Sequence, residues 1–144
     1  MRFGRTATAA AFAMFFTIVT VPTADAATAS TACGSGYSRV GHYPITSSMA
    51  QAKNPGGYLD IYYSSSTGKN CGVAYPTSTH QGKTSMLEVD MRKSGNSTWT
   101  GDSGNFTYYA GPVYVSARGA CIDALGFVTD GYDYRGGFYG KHCG

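Results

Sequence analysis

The chain has 144 residues, 11 Lys/Arg against 8 Asp/Glu and a formal charge of +3, with 14% aromatic residues that include 12 tyrosines. The weak charge is scattered, with Arg92-Lys93 the one adjacent basic pair, which excludes a nucleic acid or an anionic membrane as an expected partner. The length suits one domain with a single core.

At the N-terminus, Arg2 and Arg5 flank the start of an apolar run from Ala7 to Val21, and Ala24-Asp25-Ala26 supplies the small residues a signal peptidase needs. Residues 1–26 are therefore expected to be a secretory signal peptide, leaving 118 residues from Ala27 to Gly144. The run is too short and too rich in Ala and Thr for a membrane span, and no later run approaches the roughly 20 apolar residues required. A secreted protein with no integral span after signal removal is the expectation. Without Arg2, Arg5 and Asp25 the charge falls to nine basic against seven acidic residues, while all tyrosines and Trp99 remain.

Residues 27–32 are small and polar and read as a flexible tail, with a single domain over 33–144. Tyr58 to Tyr63 alternates large and polar residues; Ser64 to Asn70 gives turn chemistry, and Cys71 to Tyr75 continues as a strand until Pro76, which is a hairpin signal. Met86 to Arg92 sets Leu87, Val89 and Met91 against Glu88, Asp90 and Arg92, the clearest half-buried strand. Ser94 to Ser97 breaks it, and Asp102-Ser103-Gly104-Asn105 breaks the next short segment around Trp99. Strands are expected at Phe106 to Tyr109, Val113 to Ala117, Cys121 to Val128 and Tyr132 to Tyr139, with turns at Gly111-Pro112 and Asp130-Gly131. Short strands at such spacing predict an all-β fold, a compact antiparallel sandwich or barrel of about seven or eight strands. The sparse aliphatics expected inside are Leu59, Ile61, Val73, Leu87, Val89, Val113, Val115, Ile122, Leu125 and Val128.

Cys33, Cys71, Cys121 and Cys143 are an even set in an oxidising compartment, which predicts two disulfides. Of three pairings, Cys33–Cys71 with Cys121–Cys143 is favoured because each closes one half of the chain. No CxxC supports a metal.

Gly101-Asp102-Ser103-Gly104 matches the surroundings of a protease serine, and His42 or His80 with Asp60 or Asp90 would follow in the required chain order. Asn105 replaces the usual glycine, the histidine settings are wrong, and the domain is too short, so a β-turn is the expectation there. Glu88 and Asp90 share one strand face, roughly 7 Å apart, near the separation of glycosidase carboxylates; a solvated charged face accounts for them as well. His42, His80 and His142 are too dispersed for a metal site. No catalytic residue, metal or cofactor is expected. Asn96-Ser97-Thr98 and Asn105-Phe106-Thr107 match a glycosylation sequon that matters only in a eukaryotic host.

The tyrosines are the stronger lead. Tyr62-Tyr63 and Tyr108-Tyr109 are adjacent, so one ring of each pair faces outward on a strand. With Tyr132, Tyr134 and Tyr139 they form the candidate binding surface, since exposed Tyr beside Gly and Ser makes rigid amphipathic contact area.

The chain resembles the spore-associated protein A type of small secreted proteins from filamentous actinobacteria. The resemblance lies in Cys33-Gly34-Ser35-Gly36-Tyr37, Ser66-Thr67-Gly68-Lys69-Asn70-Cys71, Tyr109-Ala110-Gly111-Pro112-Val113-Tyr114-Val115, Gly119-Ala120-Cys121-Ile122-Asp123 and His142-Cys143-Gly144. It implies secretion and attachment to aerial hyphae or spores, through a spore or cell-wall component or a secreted protein, and supplies no catalytic residues. The competing expectation is a small inhibitor of a secreted protease or glycosidase, presenting Ser64 to Asn70 beside Cys71.

Overall fold

A computed structural model describes residues 28–46, 54–129 and 131–144. The expected signal peptide and Asp130 lie outside the described residues. Eight strands form: β1 (Ser38–Ile45), β2 (Gly57–Ser64), β3 (Lys69–Pro76), β4 (Ser85–Lys93), β5 (Thr100–Phe106), β6 (Ala110–Ser116), β7 (Ile122–Thr129) and β8 (Asp133–Lys141). They make two antiparallel sheets, β1-β2-β3-β6 and β5-β4-β7-β8, and no helix occurs among the described residues. The all-β sandwich follows from the strand periodicity as expected.

The hairpin β2–β3 pairs in unbroken register from Gly57↔Pro76 to Ser64↔Lys69. Within β4 the alternation read from the sequence holds: Leu87, Val89 and Met91 are fully buried between the sheets, and Glu88, Asp90 and Arg92 face away. They meet Leu59 and Ile61 of the first sheet, with Val113, Ile122, Val128 and Phe138, in one core. Leu125 turns out of this core, and Val73 is buried elsewhere. Along both sides the two sheets approach each other: Arg135 N–H donates to the Thr46 carbonyl at 3.3 Å, and Gly111 N–H donates to Asp102 Oδ2 at 2.7 Å. Gly111–Pro112 is a cis peptide.

Two expectations are corrected. The Gly101–Gly104 segment is strand, not turn, because β4 pairs with it continuously from Ser85↔Phe106 to Met91↔Thr100. Ladder hydrogen bonds to a strongly patterned neighbour outweigh the weak strand preference of Gly, Asp and Ser. Phe106 ends β5, and Thr107 to Tyr109 are the connection to β6.

The segment expected as a flexible tail is also built in where it is described. Thr28 to Cys33 folds as turns, with Thr31 N–H donating to the Thr28 carbonyl at 2.9 Å. It lies on the outer face of the first sheet, where Cys33, Tyr62, Cys71 and Val73 form a second buried cluster packed by Ala29, Ala32, Tyr37, Tyr75 and Tyr109. The Cys33–Cys71 disulfide ties the segment down, and Cys121–Cys143 ties the C-terminus to β7; both are the favoured pairing.

Candidate functional site

The outer face of the second sheet carries the richest unpartnered chemistry. On β4, Glu88, Asp90 and Arg92 point outward, and side chains two apart on neighbouring strands join them. Register aligns these residues in rows across the strands. One row reads Ser103, Glu88, Phe127 and Arg135; the next reads Gly101, Asp90, Leu125 and Gly137; in the third, Arg92 stands opposite Asp123.

Each flanking row is bulky and rigid. Arg92 donates from Nε to Asp123 Oδ2 at 2.7 Å while its guanidinium lies 4.3 Å from the centre of the Trp99 ring. Tyr139 meets Trp99 edge-on, with centroids 6.3 Å apart and planes at 84°. Buried Asp123 also accepts from Ser94 Oγ at 2.6 Å and Gly140 N–H at 2.9 Å. Burial opposes its charge, but these bonds and that from Arg92 outweigh burial and hold the carboxyl below the ordinary range. On the other side the Arg135 guanidinium sits 4.6 Å over the Phe127 ring.

Between these rows the surface is low, because the middle row has glycine at both ends and half-buried Leu125 inside it. The Asp90 carboxyl lies directly over Gly101, where a Cβ would collide with it. A hollow of about 320 Å³, part of it open solvent, is bordered by Glu88, Asp90, Leu125, Phe127 and Arg135. Partial burial, then the hydrogen bond and negative charge of Glu88, push Asp90 up to about 6. The two carboxyls share one strand face, as the strand spacing suggested, and Glu88 helps to hold Asp90 above the ordinary range. Below about pH 6 a protonated Asp90 can donate a hydrogen bond as well as accept one.

A different constellation occupies the outer face of the first sheet. Asp60 is buried, with His42 Nδ1 2.5 Å from Oδ1. Its Oδ2 accepts from Tyr75 Oη at 3.0 Å, Arg39 Nη1 at 3.3 Å and Tyr62 Oη at 3.4 Å. Burial and the Asp60 charge raise both phenols above their ordinary range. His42 stacks on Tyr58 at 4.5 Å and 18°. Histidine and aspartate thus meet as the triad order allowed, but Ser103 lies on the outer face of the other sheet. His80 is in the β3–β4 loop with Nδ1 3.1 Å from Thr79 Oγ1, and His142 accompanies Tyr43 at 2.9 Å. Among the described residues, no three His, Cys, Asp or Glu side chains converge as metal ligands.

The tyrosines expected on one face are distributed over several. Tyr62 and Tyr134 are buried, a correction: Tyr62 lies beneath the N-terminal segment and Tyr134 between the sheets. Tyr109 packs against the outer cluster of the first sheet, and Tyr63 is half-buried beside Gly144. Tyr108 is 51% exposed, Tyr132 73% and Tyr139 63%, and of these Tyr139 belongs to the aromatic wall. Trp99, Phe127 and Arg135 were not read as site residues. A signal for two of them was present in the period of two running through β7 and β8. The Ser64–Asn70 loop is a tight turn whose Ser65 and Ser66 carbonyls accept from Arg118 at 3.0 and 3.1 Å, and Asn70 is buried in β3.

Fold and site together define a small β-sandwich, held by two disulfides, with a shallow hollow on one outer face beside an exposed aromatic cluster. Spore-associated protein A of Streptomyces coelicolor is 38% identical to the chain over 112 residues, which are 78% of this chain and 64% of that protein. The chain is thus similar to a protein of the type its motifs resemble. The match covers less than two thirds of that relative's length. No family model and no solved structure matches the chain.

Proposed function

We propose that this protein is a secreted, non-catalytic component retained on the surface of spores or aerial hyphae through aromatic side chains exposed on the second sheet. The observation that carries the reading is the 38% identity to a protein named for its association with spores. Exposed Tyr139, with Trp99 beside it, supports an adhesive role, since aromatic rings with a polar edge suit contacts that are part dry and part wet. A non-catalytic role is supported by the separation of Ser103 from the His42–Asp60 pair, which lie on the outer faces of different sheets.

The test is fractionation of a sporulating culture, with the protein quantified in detergent-washed spores and in clarified medium. Recovery mainly with spores is the expected result. Recovery in the medium alone would overturn the reading and leave the inhibitor role, through the Ser64–Asn70 turn, as the next to assay against secreted hydrolases.

A further inference from the structure

We propose that β5 is the contact surface of a two-fold symmetric dimer, in which it pairs antiparallel with β5 of a second copy of this chain. The inference stands independently of the surface-retention reading.

Each sheet of the sandwich ends in two edge strands, and three of the four edges are blunted. The register of β1 breaks between Arg39 and Gly41, and Pro44 follows. In β6, Pro112 has no N–H to give, and the pairing with β3 shifts beside it. In β8, Arg135 N–H already donates to the Thr46 carbonyl, and the register with β7 breaks toward the C-terminal end. Bulges, prolines and covered backbone are the means by which a sheet edge refuses a further strand.

β5 has none of these. Its register with β4 is unbroken from Thr100 to Phe106, and the strand contains no proline, lysine or arginine. Among the described residues no strand pairs with its other side. Thr100, Gly101, Ser103 and Asn105 are exposed. The one charge, Asp102, turns back into its own molecule, where Oδ2 accepts from Gly111 N–H at 2.7 Å. A regular edge with so little charge leaves backbone donors and acceptors open to another strand.

The strand this edge fits is its own copy. Ser103 is the middle residue of β5, so a two-fold axis through it sets Ser103 opposite Ser103. Asp102 then meets Gly104 of the second copy, Gly101 meets Asn105, and Thr100 meets Phe106. No like charges face each other, and Asp102 and Phe106 each face a smaller residue. Because β5 is the one open edge among the described strands, two copies satisfy each other and assembly closes at the dimer. The axis is perpendicular to the sheet, so both outer faces of the joined second sheets look the same way. The exposed Tyr139 rings of the two copies then lie on one side, where a common surface engages both at once.

A seven-residue contact lies at the small end of specific interfaces, so a Kd of about 10–100 µM is expected. Sedimentation velocity of the purified, oxidised protein from about 5 to about 500 µM should show monomer passing to dimer and nothing larger. Ser103→Lys sets two ammonium groups across the axis and should weaken dimerisation about fivefold. Glu88, opposite it on β4, offers the new lysine a partner in the folded monomer. Single cysteines read the register. Residues facing each other on antiparallel strands have Cα atoms about 4.5–5.5 Å apart, within disulfide reach. Ser103→Cys should therefore link two copies under mild oxidation, while Asn105→Cys, about 14 Å from its mate in this register, should not. The thermal transition of each variant checks that it is folded. A wild type that stays monomeric throughout the range overturns the proposal, as does assembly beyond the dimer. Ser103→Lys dimerising as tightly as wild type, or Asn105→Cys linking as fast as Ser103→Cys, overturns it too.

Discussion

His42 Nδ1 lies 2.5 Å from Asp60 Oδ1, and the contact depends on an irregularity in β1. Arg39 and His42 are three apart and would point to opposite faces of a regular strand. The register shifts between Arg39 and Gly41, leaving Val40 as an extra, 46% exposed residue, and both side chains then reach Asp60. The carboxylate is thereby surrounded by donors from three strands. Its charge is compensated, and the outer face of the first sheet is fixed by a polar network as well as by the disulfide.

Removing that carboxylate should be severe. Asp60→Ala strands the Tyr62 and Tyr75 hydroxyls against a buried surface and leaves Arg39 and His42 without a partner. A loss of about 1–3 kcal/mol is expected, the cost of leaving a buried hydroxyl unsatisfied, because Arg39 and His42 are exposed enough to be solvated. Urea denaturation monitored by tryptophan fluorescence measures it; a loss below about 1 kcal/mol would show that the network contributes little.

Asp90 sets a pH dependence of stability. Its folded-state value, about 6, lies above the ordinary 3.8, so the native state binds more protons than the unfolded chain in that interval. Stability should therefore fall as pH rises from about 4 to about 6 and stay lower above it. Asp90→Asn should remove that slope and stabilise the protein at pH 7 by about 1 kcal/mol, a figure reduced for solvent screening. Thermal unfolding between pH 4 and pH 7.5 checks the sign, and an unchanged slope in the variant would assign the dependence to another group.

Asn70 is buried in β3, and both of its side-chain polar atoms are without a hydrogen-bond partner. Asn70→Leu keeps the volume while removing two desolvated groups, so a gain of about 1 kcal/mol is expected. A loss of stability in denaturant titration would mean that the amide is satisfied by water.

The Cys33–Cys71 bridge spans 38 residues and Cys121–Cys143 spans 22. The chain-entropy relation gives about 4 and about 3 kcal/mol for them. The paired variant Cys33→Ser/Cys71→Ser should also release Thr28 to Tyr37 from the first sheet. Hydrogen exchange should then show faster exchange at Thr31 and Gly34, with β4 and β7 still protected.

The parts of this fold legible from sequence were those with strong local patterns. The period of two in β4, the β2–β3 hairpin and the even cysteines each point to one outcome. β5 was not legible, because Gly101, Ser103 and Asn105 are turn formers that become strand only through pairing with β4. Alternation of Glu88 and Asp90 was visible, but the hollow needs Leu125 and Phe127 beside them, and that depends on which strands are neighbours. Tyr62 and Tyr134 look no different from Tyr139 in sequence. What buries them is the N-terminal segment in one case and the opposite sheet in the other.

The most direct measurement is retention on spores by a strain carrying Tyr139→Ala/Trp99→Ala, against strains carrying wild type and Tyr132→Ala, each quantified in washed spores and in medium. The account predicts that wild type and Tyr132→Ala stay with the spores, while the double variant, folded and secreted in equal amount, moves to the medium. Equal retention of all three would contradict attachment through the aromatic wall of the second sheet.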